Sequence, residues 1–171
     1  MRIIAVTDTH QNTLLLQRSV RQAIEDGPIG AFLHCGDGVR DLDCVEQELL
    51  QTNPSVQIYA VRGNCDLGAF EYPETELADF YGVRALITHG HLYSVKHGLG
   101  KLAKAAKEQN AQLAFFGHTH IAAIEEKHGV TLINPGSLAS WHQGGTAYLE
   151  VTITADGIVR EKFIRQRGSS R

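Results

Sequence analysis

Residues 2–10 read RIIAVTDTH, and this stretch sets a pattern that recurs along the chain. Its apolar, β-branched run stops at Asp8-Thr9-His10, which is the pattern of a buried strand that leads into a polar loop. A helix is predicted next, because Asn12 can cap it and apolar residues recur at three- and four-residue spacing as far as Asp26-Gly27-Pro28. The chain therefore begins with a strand, a polar loop and a helix.

The same arrangement recurs further along the chain. Apolar runs at residues 29–34 and 56–61 predict two more strands, which lead into Gly36-Asp37 and Gly63-Asn64. A second helix is predicted over residues 42–51, because one face is apolar and Asn53-Pro54 follows it. This βαβαβ order is typical of a sheet whose strands run parallel.

The rest of the chain is richer in strand patterns. Residues 75–80 and 83–88 predict a pair of strands, the second leading into His89-Gly90-His91. A helix over residues 101–109 precedes a strand over 113–116 that ends at Gly117-His118-Thr119-His120. Turn sequences separate four more predicted strands, over residues 121–126, 130–133, 146–154 and 158–164. Since no repeat or linker is visible, we expect one α/β domain over residues 1–167 and a disordered tail over 168–171.

The composition narrows the class of protein. The chain has 171 residues and a formal net charge of -3, with no long block of either sign, which argues against a nucleic-acid partner. The first apolar run is too short for a signal peptide or a membrane span, so a cytoplasmic protein without a membrane partner is expected. Three scattered cysteines predict reduced thiols. Several of the 9 histidines, in contrast, stand in short clusters with Gly, Asp or Asn.

Five polar clusters each follow an apolar run directly. Because parallel strands end at the same edge of a sheet, and ligands bind at that edge, these clusters are expected to meet. Their oxygen and imidazole donors suit Mn²⁺, Fe²⁺ or Zn²⁺, and they are too many for one ion. A carboxylate such as Asp37 that bridges two ions would divide the set. The predicted ligands are Asp8, His10, Asp37, Asn64, His89, His118 and His120.

In their order, these clusters resemble the signature of the calcineurin-like metallophosphoesterases: D-x-H, G-D, G-N-[HC]-[DE], a histidine before glycine, and G-H-x-H. The likeness runs from Asp8 to His120, and the chain length and Gly-Asn-Cys-Asp resemble the small bacterial and archaeal phosphodiesterase branch. The resemblance implies an α/β fold, a four-layer α/β/β/α sandwich of two mixed β-sheets flanked by helices.

The resemblance also implies a site and an activity. One ion would be held by Asp8, His10, Asp37 and His120, and the other by Asp37, Asn64, His89 and His118. The expected cofactors are two divalent ions, Mn²⁺ first, with Ni²⁺, Fe²⁺ or Zn²⁺ as alternatives. The expected activity is the hydrolysis of a small phosphodiester through a hydroxide bound at this dinuclear centre.

The chain departs from many larger relatives at Cys65, where they carry a histidine thought to protonate the leaving group. A thiol near two cations would lose its proton, so we expect a preference for good leaving groups. The other candidates for catalytic roles beside Asp37 and Asn64 are Arg62, near a phosphate oxygen, and His91, which would orient the site or bind substrate. His34 is predicted to be a core residue, and the rim candidates for substrate specificity are Arg62, Lys96, His97 and Trp141.

Three other functions fit the same fold. The small retromer subunit uses it as an interaction scaffold, which is the alternative if the ligands were degraded; here every matching position carries a residue able to coordinate. A phosphomonoesterase is a second alternative. A nuclease would call for a basic groove and further domains, which the balanced charge and the length do not favour. The substrate, the metal and the oligomeric state, with a homodimer among the options, stay open.

Overall fold

The computed structural model describes residues 1–139, 146–157 and 159–165, with the backbone alone at 146 and 147. Predictions for Trp141, Ile158 and the tail over residues 168–171 therefore fall outside the described residues. Within these ranges no helix is both long enough and apolar enough to cross a membrane.

Two five-stranded sheets form the centre of the fold. In chain order the elements are β1 Arg2–Val6, α1 Thr13–Glu25, β2 Ala31–His34, α2 Glu46–Thr52, β3 Gln57–Ala60, β4 Thr75–Phe80, β5 Val83–Thr88, α3 Gly100–Glu108, β6 Leu113–Phe115, β7 Ala123–Lys127, β8 Val130–Asn134, β9 Thr146–Ile153 and β10 Val159–Arg165. The first sheet has the order β10-β9-β1-β2-β3 and the second β4-β5-β6-β8-β7.

Both sheets are mixed. In the first, β1 runs parallel to β2 and β2 to β3, while β9 and β10 pair antiparallel. In the second, β5, β6 and β8 run parallel, and β4 and β7 cover the two edges in the antiparallel direction. The parallel strands of each sheet bring several loops to the carboxyl edge, as the strand pattern predicted.

The two sheets stack face to face, with helices on their outer faces. Along β1, Ile3 and Ala5 point between the sheets, where they join a core that includes Phe80 and Phe115 of the second sheet. The alternate residues, Ile4 among them, pack outward in the layer under α1 and α2. A third cluster joins α3 to the outer face of the second sheet. The predicted four-layer α/β/β/α sandwich is confirmed.

Several element boundaries differ by one or two residues from the sequence-based expectation, such as β2, which begins at Ala31 rather than at residue 29. Two differences have a visible physical cause. The helix predicted over residues 42–51 is instead a 3₁₀ helix, Val39–Cys44, followed by α2. The chain turns early because Gly38 takes a left-handed conformation, with φ 108°, and Asp41 is held by tertiary hydrogen bonds. The strand predicted from residue 121 begins at Ala123, which pairs with Asn134. The Asn134 side chain bonds back to the loop before β7, so the ladder ends there.

Candidate metal centre

The carboxyl ends of strands from both sheets meet at one site. Asp8 and His10 follow β1 and Asp37 follows β2 in the first sheet; His89 follows β5, and His118 and His120 follow β6 in the second. The structure brings these predicted ligands together in two groups of Asp and His that share this edge: Asp8, His10 and His120 in one group, Asp37, His89 and His118 in the other.

The first group places three ligand atoms around a common point. Its atoms all lie within 4.8 Å of one another. The Nε2 atom of His120 is 3.1 Å from Asp8 Oδ1, and the Nε2 atom of His10 is 3.8 Å from the same oxygen. The two imidazole nitrogens are 3.3 Å apart. One carboxylate and two imidazoles at such separations match the donor set of a borderline divalent ion.

Asp37 connects the second group to the first. Its Oδ2 atom is 3.2 Å from His89 Nε2 and 4.0 Å from His10 Nε2. The Asp37 side chain also forms a third candidate group with His10 and Cys65. A single buried carboxylate therefore faces imidazoles of both groups, the position that a bridging ligand would need.

Two buried atoms of the site, Asp8 Oδ1 and His89 Nε2, make no well-aligned hydrogen bond to any described residue. Each lies only near a charged neighbour: Asp8 Oδ1 is 3.1 Å from His120 Nε2, and His89 Nε2 is 3.2 Å from Asp37 Oδ2. The other ends of the same side chains are satisfied. Asp8 Oδ2 accepts hydrogen bonds from Thr7 Oγ1 at 2.8 Å and from the His118 N–H at 3.1 Å. His89 Nδ1 donates to the Cys35 carbonyl at 2.8 Å, which aims Nε2 into the site. Burying polar atoms unsatisfied costs free energy, so these side chains fit a cation between them.

The electrostatics set the protonation of the candidate ligands. Burial, and then His89 and Lys96, lower the pKa of His118 to about 4, so this imidazole is neutral at pH 7 and its nitrogen can coordinate. Burial would lower the pKa of His89, but the carboxylates of Asp37 and Asp8 raise it above the ordinary value. A metal ion would compete with a proton for His89, because only a neutral imidazole binds metal.

The backbone at the ligands is strained. Asp8, His10, Asp37, His118 and His120 all have positive φ, between 45° and 67°. L-residues with side chains rarely take this conformation, which persists where the surrounding structure imposes it and clusters at functional sites.

Glycines next to the site allow neighbouring loops to pack closely against Asp37 and Asp8. A Cβ at Gly63 would overlap Asp37 Oδ1, and one at Gly117 would lie 2.6 Å from Asp8 Oδ2.

Asp66 organises the two loops after β2 and β3, a role that the sequence did not reveal. Its Oδ2 accepts hydrogen bonds from the N–H groups of Asp37 at 2.8 Å and Gly63 at 2.7 Å. Its Oδ1 accepts from Gly38 at 2.7 Å and Val39 at 3.1 Å. One half-buried carboxylate thus fixes the backbone of residues 37–39 and joins it to Gly63.

A buried network holds the loop after β1. His34 Nδ1 accepts from the Gly36 N–H at 3.2 Å, so its Nε2 donates to Thr9 Oγ1, also at 3.2 Å. Thr9 in turn donates to Asp41 Oδ2 at 2.6 Å. Burial lowers the pKa of His34 to about 4, which keeps it neutral. His34 lies in the core, as predicted, and it also positions the residue that separates Asp8 from His10.

The remaining catalytic candidates lie around the site. His91 is centred 5.5 Å from the His89 ring, and its Nδ1 is a further buried atom without a hydrogen-bond partner in the described residues. Arg62 is paired: its Nη2 is 3.2 Å from Glu74 Oε1, and its guanidinium lies 5.3 Å from the centre of the Phe70 ring.

Cys65 is exposed beside the second group. Its N–H donates to Asp37 Oδ1 at 2.8 Å, and its sulfur accepts from Asn64 Nδ2 at 3.3 Å. Burial and then Asp37 raise the pKa of the Cys65 thiol to about 11. Bound cations would lower the pKa of this thiol. The thiolate expected in the metal-loaded protein therefore stays a prediction. Asn64 adjoins the site through Cys65.

The family of this chain follows from a match over most of its length. Residues 1–156 match the calcineurin-like phosphoesterase superfamily domain, and the chain belongs to that family, whose members depend on metal. The resemblance drawn from the motifs is confirmed.

Relatives from bacteria and archaea carry similar names. The chain is 32% identical over 139 residues to the probable metallophosphoesterase YsnB of Bacillus subtilis, covering 81% of this chain and 75% of that protein. It is 32% identical over 160 residues to the phosphodiesterase MJ0936 of Methanocaldococcus jannaschii, covering 84% and 88%. A solved structure described as a novel archaeal phosphodiesterase superposes with a TM-score of 0.71 at 25% identity, over 96% of this chain and 100% of that one.

Proposed function

We propose that this chain is a metal-dependent phosphodiesterase that hydrolyses a small phosphodiester at a dinuclear centre. The observation that carries the proposal is the pair of Asp/His groups that face the shared carboxylate of Asp37, with buried atoms of Asp8 and His89 aimed into the space between them. The name of the relative MJ0936 supports a diester rather than a monoester as substrate.

The two groups divide the ligands between two ions. Asp8, His10 and His120 would hold one, and His89, His118 and Asn64 the other, with Asp37 between them. Mn²⁺ is our first choice of ion, and the oxygen and imidazole donors suit Ni²⁺, Fe²⁺ or Zn²⁺ as well. When bound there, such ions lower the pKa of water and neutralise the charge of the phosphoryl oxygens.

Protonation and ring orientation suit the histidines of the site to bind metal. His118 is neutral at pH 7, and the hydrogen bond from His89 to the Cys35 carbonyl fixes the orientation of its ring. The imidazole of His91, whose ring centre is 5.5 Å from that of His89, and the guanidinium of Arg62 are the groups that we assign to the substrate phosphate. Arg62 would have to exchange its contact with Glu74 for a phosphate oxygen.

Hydrolysis by protein stripped of metal and resupplied with Mn²⁺ tests the proposal. The substrates are bis(p-nitrophenyl) phosphate and p-nitrophenyl phosphate. We expect two ions per chain by elemental analysis and a higher kcat/KM for the diester. Asp37→Ala should bind fewer ions and lose roughly 100-fold or more in kcat/KM, because a shared ligand is removed. Asp43→Ala, which removes an exposed carboxylate after the same loop, should stay within about twofold.

Each outcome has a separate meaning. Two bound ions without hydrolysis of either ester would contradict the enzyme and favour an interaction scaffold. Hydrolysis with one ion per chain would contradict the dinuclear centre. A higher kcat/KM for the monoester would replace the diesterase by a phosphomonoesterase.

A further inference from the structure

A cavity of about 540 Å³ opens on the outer face of the second sheet, between β7 and the segment that precedes α3. We call it the β7 cavity. Alternate residues of the edge strand β7, namely Ala123, Glu125 and Lys127, form one wall. The rest of the lining is mainly apolar and includes Val95, Leu99, Phe116 and Ile121. A volume of this size is in the range of small-molecule sites.

The β7 cavity adjoins the candidate metal centre. Thr119, which stands between the predicted ligands His118 and His120, lines it. Lys96 lines it as well, and its charge acts on both of these histidines. A molecule whose phosphate lies at the two metal groups can therefore extend an attached group past Thr119 into the cavity.

The charges of the lining fit an anion with an apolar substituent. Two lysines, Lys96 and Lys127, face a single carboxylate, Glu125, so the lining carries a net positive charge. None of the ion pairs found between described residues involves either lysine. Ile121 is 63% exposed at the mouth, a large apolar surface that a bound group would cover.

We propose that the β7 cavity binds one ester group of the phosphodiester substrate, a nucleoside, with Lys96 beside the phosphate. The proposal rests on the function proposed above. A nucleoside matches the cavity because its flat base can lie against the apolar side chains, while the polar edge of the base can reach Glu125 and Lys127. A methyl or other small ester group would leave most of this volume to water.

Binding is the first test, because it needs neither metal nor turnover. Metal-free protein is titrated with thymidine 5′-phosphate and, separately, with inorganic phosphate, while backbone amide shifts are recorded by NMR. We expect thymidine 5′-phosphate, but not inorganic phosphate, to shift the amide resonances of β7 and of residues 95–99. Ala123→Trp, which fills the cavity, should weaken nucleotide binding by roughly 10-fold or more.

Two further variants guard against misfolding and indirect effects. Ile121→Glu alters the exposed mouth and should weaken nucleotide binding without disturbing the core. Glu126→Trp places the same bulky side chain on the opposite face of β7, so nucleotide binding should stay within about twofold of the unsubstituted protein. Shifts confined to the loops of the metal centre, or equal effects of Ala123→Trp and Glu126→Trp, would overturn the proposal.

Turnover of two esters with the same leaving group is the second test. Thymidine 5′-(p-nitrophenyl) phosphate and methyl p-nitrophenyl phosphate both release p-nitrophenolate. With Mn²⁺ we expect kcat/KM to favour the nucleoside ester by roughly 10-fold or more, and Ala123→Trp to bring this ratio close to one. Hydrolysis of both esters at equal rates would refute the nucleoside site, while the proposal that the protein is a phosphodiesterase would stand. Nucleotide binding in the cavity without hydrolysis of either ester would contradict the proposed phosphodiesterase activity, while the nucleoside site would stand.

Discussion

Cys65 stands where many larger relatives carry a histidine thought to protonate the leaving group, and a thiol is a weaker proton donor than an imidazolium. Its amide is tied to Asp37 and its sulfur to Asn64, so the side chain is held at the exposed edge of the second ligand group. Without cations the thiol keeps its proton, since burial and Asp37 raise its pKa to about 11. Beside two cations the thiolate would be favoured, and a thiolate cannot donate.

Replacing Cys65 with histidine should therefore extend the range of substrates. We expect Cys65→His to raise kcat by about 10²-fold for diesters with alkyl leaving groups, the lower end of what general acid catalysis contributes. Esters of p-nitrophenol should change little, because their leaving group needs no proton. The comparison is made in steady-state kinetics with Mn²⁺, with Cys65→Ser as the size-matched control. An unchanged rate with alkyl esters would rule out this explanation of the departure from the larger relatives.

Among the elements of the fold, loops rather than strands carry the candidate metal ligands, and Asp66 connects two of these loops. Its carboxylate accepts four backbone N–H groups from the loops after β2 and β3. Charge-assisted hydrogen bonds of this kind are among the stronger ones in proteins. The position of Asp37 therefore depends on a residue 29 positions away.

We expect Asp66→Asn to destabilise the protein, because an amide NH₂ group then faces N–H donors that need an acceptor. The free energy of unfolding in urea should fall by about 2–3 kcal/mol. Affinity for Mn²⁺, measured by calorimetry on the folded protein, should fall roughly 10-fold, as for other changes behind a ligand. Asp43→Asn, the same substitution at an exposed carboxylate nearby, should change the unfolding free energy by less than about 0.5 kcal/mol. Equal effects at the two positions would show that Asp66 does not organise these loops.

At the scale of the whole molecule, the site exists only because the two sheets are stacked. The first sheet contributes Asp8, His10 and Asp37. The second sheet contributes His89, His118 and His120. Side chains between the sheets hold these halves together. Phe80 of β4 meets Tyr59 of β3 edge to face, with ring centres 5.7 Å apart and planes at 88°.

Phe80→Ala should lower the free energy of unfolding by about 3–5 kcal/mol, because it removes a fully buried ring and leaves a cavity between the sheets. Leu77→Ala on the same strand serves as the control. Since Leu77 is 43% exposed, its truncation should cost less than about 1 kcal/mol. Urea titrations followed by circular dichroism give both values. If Phe80→Ala lowered the free energy of unfolding no more than Leu77→Ala does, packing of Phe80 between the sheets would not be a main source of stability.

Much of the architecture follows from local patterns in the sequence. The run before Asp8 and the capping residue Asn12 predicted β1 and α1, and the structure has both, with Asn12 Oδ1 accepting from the Leu15 N–H. The paired strands β4 and β5 match their predicted bounds. Such features are readable because apolar periodicity, turn residues and caps act between neighbours in the chain.

The order of strands and helices and the polar clusters at the strand ends follow from the sequence, and the family resemblance implied their division into two sets. Three features come from the folded chain alone: Asp66 ties two loops together, His34 supports Thr9, and a cavity opens beside Thr119. The early start of the 3₁₀ helix also depends on the folded structure. The reason is that these features depend on contacts across long stretches of chain, such as the 110 residues between Asp8 and His118. Local periodicity carries no information about such distances.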